Sequence, residues 1–249
     1  MRTATTASVI HASCASETTS NMREPSLFDR AHNPLDCWGI FGSEPIALDR
    51  IVITPPDEPQ FVLRIPVQVP ECKGLHIPSE LQWLESFISE CRYHQNAACL
   101  QHAFTYITVR HGPMCTVTDD LWHVDGFSMR IPHAPEQDYI WTDCHPTEAL
   151  LQPQRLPKAF HPLRHNIHHN FQDTADPSNI VTLESGRCYL MDPHVVHKRP
   201  QIPKGLWRTF VRVSFVPIPI RDSANTCNPL LPRQPGSDAP DIRFRLERI

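Results

Sequence analysis

Glycine is scarce in this chain, which has 8 glycines among 249 residues. Loops that cradle phosphate groups are built largely from glycine, so the sequence contains little material for one. The Walker A and GxGxxG patterns are absent, and so are the HEXXH and GxSxG patterns of zinc proteases and serine hydrolases. Nucleotide-binding enzymes and these two hydrolase classes are therefore disfavoured.

Long apolar runs and concentrated positive charge are also missing. No run approaches the roughly 18 to 20 apolar residues that a membrane-spanning helix needs, so we do not expect a transmembrane protein. Lys and Arg total 23 against 27 Asp and Glu, which gives a net charge of −4. Because the basic residues are scattered, we expect a small-molecule partner and no nucleic acid.

The nine cysteines are dispersed and include no CxxC pair. The N-terminal 20 residues contain no apolar segment and are not typical of a secretory signal. Their Ser- and Thr-rich composition, with no acidic residue before Glu17, leaves an organelle-import signal as the alternative. We expect a cytoplasmic protein whose cysteines are free thiols.

Proline is abundant, with 26 residues, and the apolar residues that make up 40% of the chain fall into many short runs. Strands joined by rigid connections produce this pattern more readily than a helical bundle does. We expect one mainly β domain of about eight strands with a few helices packed outside it, and the run that contains Pro66 at a sheet edge. The domain is predicted at residues 26–221, between a flexible tail at 1–25 and a second tail at 222–249.

The clearest helix prediction begins at Ser79. Ser79 and Gln82 have the spacing of a capping box, in which a serine caps the first turn. An apolar stripe at helical spacing follows, formed by Leu81, Leu84, Ile88 and Cys91. We expect a helix that ends near His94 and packs through this stripe, without a chemical role.

The tripeptide His123-Val124-Asp125 lies in a predicted strand. Residues i and i+2 of a strand point to the same face, so the imidazole and the carboxylate converge. A further histidine would complete a facial triad, which leaves coordination positions open and favours Fe(II). The tripeptide alone is weak evidence, because an exposed strand end could contain it by chance.

The later part of the chain extends this pattern. After the HxD tripeptide come His197, Arg208 and Arg212, with eleven residues from His197 to Arg208 and four more to Arg212. Across residues 103–217 this order resembles the Fe(II)/2-oxoglutarate-dependent dioxygenases, and the arginine spacing is similar to that of the taurine-hydroxylating branch. The resemblance implies a double-stranded β-helix, which is a jelly-roll or cupin-like core.

The resemblance also implies a site and a reaction. The metal ligands and catalytic residues would be His123, Asp125 and His197, and Arg208 would hold the distal carboxylate of 2-oxoglutarate. O₂ would convert this cosubstrate to succinate and CO₂ while a C–H bond of a small metabolite is broken. Hydroxylation is the default outcome, desaturation and oxidative ring closure are the alternatives that the sequence does not distinguish from it, and we expect a biosynthetic role.

Two histidines compete for the place of the third ligand. His194 and His197 are three residues apart, so in a strand they face opposite sides. His197 follows two valines, which predicts a buried strand, and its distance from Arg208 matches the family. His194 follows a proline in a turn and is expected at the surface. We select His197.

Arg208 and Arg212 alternate with apolar residues in the last predicted strand, so both guanidinium groups lie on one face. If that face is buried, each needs a compensating anion. 2-Oxoglutarate supplies one to Arg208. We expect Arg212 to bind an acidic group on a small substrate such as an amino acid, or to assist the metal-binding end of 2-oxoglutarate. The alternative is that this face points to solvent.

Several weaker candidates complete the set. Thr142 is a candidate 2-oxoglutarate contact, and Tyr106 and Phe127 are candidate substrate contacts, although ordinary packing accounts for Thr142 equally well and for Tyr106 better. The HNIHH segment at 165–169 is a weaker metal candidate, because its outer histidines share a face only in a helix.

Two other functions stay open. A cupin-like metal enzyme without 2-oxoglutarate would have similar strands but would leave the arginine pair unexplained. A non-catalytic β-sandwich binding module would contain the HxD tripeptide incidentally, and would show no stoichiometric iron or substitute divalent ion.

The thiol assignment is testable by labelling. Under denaturing conditions without reductant, a maleimide should modify all nine cysteines, because a cytoplasmic chain lacks disulfides. Mass spectrometry counts the adducts. Several protected cysteines would indicate an oxidising compartment and contradict the cytoplasmic assignment.

Overall fold

The structure is a computed structural model that describes residues 40–97, 102–115, 121–126, 136–155 and 166–232. The predicted N-terminal tail at 1–25 lies outside these ranges. The predicted C-terminal tail is described as far as residue 232, and this part packs against the domain. The Asn228 side chain donates to the carbonyls of Pro66 and His76. Residues 217–232 contain no helix or strand, and the bounds of the predicted C-terminal tail stay a prediction.

Strands provide most of the regular structure. They are β1 (Ile40–Phe41), β2 (Ile46–Arg50), β3 (Gln60–Gln68), β4 (Phe104–Pro113), β5 (Gln137–Thr142), β6 (Glu148–Leu150), β7 (Gln154–Arg155), β8 (Ile180–Thr182), β9 (Arg187–Met191), β10 (His197–Lys198) and β11 (Trp207–Val216). The helices are a 3-10 helix at Ser79–Leu84, α1 (Glu85–Ala97), α2 (Ile167–Thr174) and a 3-10 turn at Pro177–Asn179.

The predicted helix exists, but it starts and ends differently from the prediction. Its first six residues are a 3-10 helix, and α1 continues to Ala97 rather than ending near His94. The predicted capping box does not form. The Ser79 hydroxyl donates to the neighbouring Glu80 carboxylate, and the Gln82 amide donates to the Ile77 carbonyl, so neither side chain caps the first turn.

Two antiparallel sheets are wound together. The larger sheet has the strand order β2-β9-β5-β11-β4-β3, and the smaller has the order β10-β6-β8. Between β4 and β11 the chain passes repeatedly from one sheet to the other, and it joins the smaller sheet at His123, which bridges His197. β7 lies in neither sheet and pairs with β1 in a separate two-stranded sheet. This winding is that of a double-stranded β-helix, so the predicted mainly β, jelly-roll architecture is confirmed. Pro66 lies in β3 at an edge, as predicted.

The two faces of the larger sheet have different roles. Its outer face carries residues such as Val211 and Val213 and packs against the apolar stripe of the predicted helix. Leu84, Ile88 and Cys91 of that stripe are fully buried, which confirms the packing role expected for them. The inner face faces the smaller sheet, and it carries the arginines of β11.

The described cysteines are all free thiols: Cys72, Cys91, Cys115, Cys144, Cys188 and Cys227. The other three lie outside the described ranges. Among the helices of the described ranges, none combines the length and the apolarity required to cross a bilayer.

The outer packing layer should dominate stability. Replacing the fully buried Leu84 by alanine should lower the free energy of unfolding by about 2 to 5 kcal/mol, because it leaves a cavity between helix and sheet. The control is Leu230→Ala, since Leu230 is 53% exposed and should change stability little. Chemical denaturation measures both. Equal losses would mean that the helix does not anchor the sheet.

Candidate metal centre

A reciprocal backbone contact brings His123 and His197 together. The His123 amide donates to the His197 carbonyl at 2.9 Å, and the His197 amide donates to the His123 carbonyl at 2.8 Å. Residues paired in this way project their side chains to one side of the sheet. The two ring centroids are 4.5 Å apart, so the imidazoles share one small volume.

Backbone carbonyls fix the protonation of both rings. Nδ1 of His123 lies 2.8 Å from the Leu121 carbonyl, and Nδ1 of His197 lies 3.0 Å from the Val195 carbonyl. A carbonyl only accepts, so in the neutral form of each ring Nδ1 carries the proton and Nε2 presents a lone pair. Burial, together with the neighbouring His197, lowers the pKa of His123, which favours the neutral, metal-binding form.

Asp125 completes the group. Its Oδ2 is 3.4 Å from Nε2 of His197, and one ligand atom from each of the three residues lies within 4.8 Å of the others. Two neutral imidazole nitrogens and one carboxylate oxygen are the donor set of a facial triad, so these residues fit a divalent metal ion. The three predicted ligands are brought together.

Asp125 and Gly126 form a bend. Gly126 has φ of +68°, and a Cβ built there would lie 2.4 Å from Cβ of Glu136. Only glycine permits both the left-handed backbone and this close approach. The residue after the HxD tripeptide therefore fixes the distance between the metal segment and the start of β5.

Arg212 has acidic partners within the chain. Its Nη1 lies 2.7 Å from Oδ2 of Asp125, and its Nε lies 3.9 Å from Oδ1 of Asp138. The Ser214 hydroxyl donates to the same Asp138 carboxylate. We expected Arg212 to need an anion from a substrate or cosubstrate because no partner within the chain was foreseen. That premise is wrong, since Asp125 and Asp138 are such partners.

These contacts shift the pKa values of the acids in opposite directions. Burial alone would raise the pKa of Asp125, but the Arg212 guanidinium and His197 hold it well below its usual range. Burial and the nearby Glu136 raise the pKa of Asp138 well above its usual range. Burial also raises the pKa of Glu136, against the opposing charge of Arg212. Asp125 is thus the acid most fully ionised here.

Arg208 occupies a separate part of the inner face. It is 3% exposed, and its guanidinium donates to the carbonyls of Cys144 at 3.0 Å and His145 at 3.1 Å. Burial and the neighbouring Arg199 lower its pKa to about 10. The alternative in which the arginine face points to solvent is wrong, since the Arg212 side chain is also only 13% exposed.

The weaker candidates are placed as follows. The Thr142 hydroxyl lies within hydrogen-bonding distance of the Cys144 and Thr209 carbonyls, so its proton is engaged by the backbone. The Tyr106 hydroxyl accepts from the Ile220 amide, and its side chain is buried. Phe127 lies outside the described residues. The roles of all three at the site remain predictions.

His194, His168 and His169 stay outside the ligand group, and His165 of the HNIHH segment lies outside the described residues. His194 is 3% exposed and packs against Phe41, so its predicted surface position is wrong, because β1 covers the turn. Asn166 caps α2 by accepting from the His168 amide. This places the His168 ring 5.9 Å from the His123 ring. Among the described residues, the metal-ligand group consists of the predicted triad alone.

Sequence reasoning missed Glu136 and Asp138. They flank the fully buried Gln137 near the start of β5, and Asp138 pairs with Ser214 in the register with β11. The available signal was a pair of acidic residues at period two before an apolar strand, on the face that the arginines share.

Comparisons with known proteins give only distant similarities. No family model matches the chain, and no curated protein matches it significantly. The crystal structure of EvdO2 from Micromonospora carbonacea var. aurantiaca, complexed with 2-oxoglutarate, is 17% identical, with 70% of this chain and 83% of that chain covered and a TM-score of 0.38. AviO1 from Streptomyces viridochromogenes Tue57 is 17% identical, with coverage of 74% and 78% and a TM-score of 0.35. EvdMO1 is 14% identical, with coverage of 68% and 38% and a TM-score of 0.35. Similarity at this level does not show a shared activity.

The turn at Gly126 can be tested against a matched glycine. Gly126→Ala should lower the free energy of unfolding by more than Gly186→Ala does, and it should weaken binding of Co(II). Both glycines have positive φ, at a cost of about 1 to 2 kcal/mol for alanine, but only Gly126 meets a neighbour within 4 Å. Denaturation and Co(II) titration measure the two effects. If both variants lose the same free energy of unfolding and bind Co(II) equally well, the close approach of Gly126 to Glu136 does not constrain the site.

Proposed function

We propose that this protein is a non-haem Fe(II)/2-oxoglutarate-dependent oxygenase that acts on a small metabolite. The observation that carries the proposal is the convergence of His123, Asp125 and His197 within 4.8 Å on the inner face of a double-stranded β-helix. Both imidazoles present Nε2, and a carboxylate supplies the third donor. A facial set of this kind leaves adjacent coordination positions for a substrate and O₂.

The chain's own residues would prepare the site for Fe(II). The Leu121 and Val195 carbonyls hold the two rings in the metal-binding tautomer. When bound, Fe(II) would supply the redox chemistry by which O₂ converts 2-oxoglutarate to succinate and CO₂ and a substrate C–H bond is broken.

Arg208 is the proposed anchor for 2-oxoglutarate. Two backbone carbonyls orient its guanidinium, but among the described residues it forms no ion pair. A buried guanidinium without a carboxylate partner is costly, and the distal carboxylate of 2-oxoglutarate would relieve that cost through a charge-assisted contact. Thr142 would contact the same cosubstrate only if its hydroxyl gives up a backbone partner.

The substrate is proposed to be a compact metabolite in a biosynthetic pathway. Tyr106 and Phe127 are the proposed substrate contacts, and hydroxylation remains the default outcome, with desaturation and ring closure as the alternatives. An acidic substrate loses its main argument, because Arg212 pairs with Asp125 and Asp138. A cytoplasmic location completes the proposal.

One observation favours a second candidate, a cupin-like metal enzyme that does not use 2-oxoglutarate. Arg208 already donates to two carbonyls, which partly satisfies it without a ligand. The two candidates share the metal centre and differ in whether 2-oxoglutarate binds and is consumed.

The test combines metal binding, 2-oxoglutarate binding and succinate production. The purified protein should bind one Fe(II) or Co(II) per chain, and loaded with Fe(II) it should convert 2-oxoglutarate to succinate slowly even without a substrate. His123→Ala, Asp125→Ala and His197→Ala should each abolish stoichiometric binding, because two donors hold the ion poorly. His169→Ala is the matched control, since His169 is an exposed histidine on α2.

Arg208→Gln separates the two candidates. It should weaken binding of 2-oxoglutarate and leave Co(II) affinity near that of the unchanged protein, because the guanidinium donates to the Cys144 and His145 carbonyls and to none of the three proposed metal ligands. If the unchanged protein binds the metal but does not bind 2-oxoglutarate, the cupin-like enzyme is supported instead. Absence of stoichiometric metal would refute both.

A further inference from the structure

The backbone alone does not fix the position of Asp125. His123 joins the smaller sheet through an isolated bridge, and Asp125 lies in a bend with no strand partner. A metal ligand in a bend needs a side-chain contact to hold it in place, because no ladder of hydrogen bonds fixes its backbone.

Arg212 supplies that contact from the rigid side of the fold. It lies in β11, which is bonded on both sides, with Thr108 of β4 and Ile140 of β5 as its register partners. Its guanidinium reaches Oδ2 of Asp125 at 2.7 Å. The contact therefore ties the bend to an interior strand of the larger sheet.

The charges around Arg212 fit a positioning role. A lone guanidinium beside a metal ligand would repel the incoming cation. Here the fully buried Asp138 lies on the other side of Arg212, with Ser214 orienting its carboxylate, and Glu136 lies close by. The guanidinium is therefore held between Asp125 and Asp138, which supports a positioning role.

We propose that Arg212, backed by Asp138, is the positioning residue of the metal ligand Asp125 and does not serve as a substrate-binding residue. The inference rests on the proposed metal centre. A positioning role for Arg212 differs from a substrate-binding role in one measurable respect. A residue that binds only substrate leaves metal affinity unchanged when no substrate is present, whereas a residue that holds a ligand lowers that affinity when it is removed.

The experiment uses the full chain, Co(II) as the probe and no substrate or 2-oxoglutarate. Arg212→Gln should weaken Co(II) binding about 10- to 100-fold and change its visible absorption spectrum, as expected when the partner of a metal ligand is lost. Arg212→Lys should bind with intermediate affinity, because it keeps the charge but loses the planar fork. Asp138→Asn should weaken binding less than Arg212→Gln does. Arg50→Gln is the control, since Arg50 pairs with Glu184 in a largely exposed ion pair.

The outcomes separate this inference from the proposed function. If the unchanged protein binds one Co(II) and Arg212→Gln matches it in affinity and spectrum, the positioning role is wrong and the metal centre stands. If the unchanged protein binds no Co(II), the proposed function fails. If Arg212→Gln does not fold, Arg212→Lys decides: weakened binding supports the inference, and unchanged binding overturns it.

Discussion

The reciprocal backbone hydrogen bonds between His123 and His197 are the constraint on which the site depends. They join two segments that are far apart in the sequence, and they set two imidazoles side by side before any metal is present. The third donor, Asp125, is contacted by Arg212 of the larger sheet, so both sheets contribute to the centre. The donor set is therefore a product of the whole fold, and a local segment of the chain cannot assemble it alone.

The two faces of the larger sheet have different functions: the outer face packs in an apolar core, and the inner face carries the polar residues of the candidate site. The outer face is apolar and packs on the 3-10 helix and α1, so the largest apolar cluster of the described residues lies on this face. This leaves the inner face free to carry arginines, acids and hydroxyls that would be costly in a purely apolar core. Arg212 lies on the inner face of the same strand whose outer face carries Val211 and Val213.

Alternation and spacing predicted much of this arrangement. Period two placed His123 with Asp125 and Arg208 with Arg212, and helical spacing identified the buried stripe that includes Leu84. These are local rules that a single strand or helix obeys. The choice of His197 over His194 also agrees with the metal-ligand group.

The remaining features depend on contacts between segments distant in sequence. The pairing of Arg212 with Asp138 follows from the register of β5 on β11, and no pattern within either strand encodes that register. His194 is buried because β1 covers its turn, and residues 222–232 are ordered by contacts to β3. The capping box failed for a different reason, since a 3-10 start gives Ser79 and Gln82 other partners.

The carbonyls that hold the two imidazoles have a consequence for how this chain can evolve. Each belongs to the residue two positions before its histidine, and every amino acid supplies a carbonyl. The tautomer of each ring therefore does not depend on which side chains occupy positions 121 and 195. Selection on the centre would fall on a few ligands and on Gly126. The surrounding sequence could drift far while the same donor set is maintained.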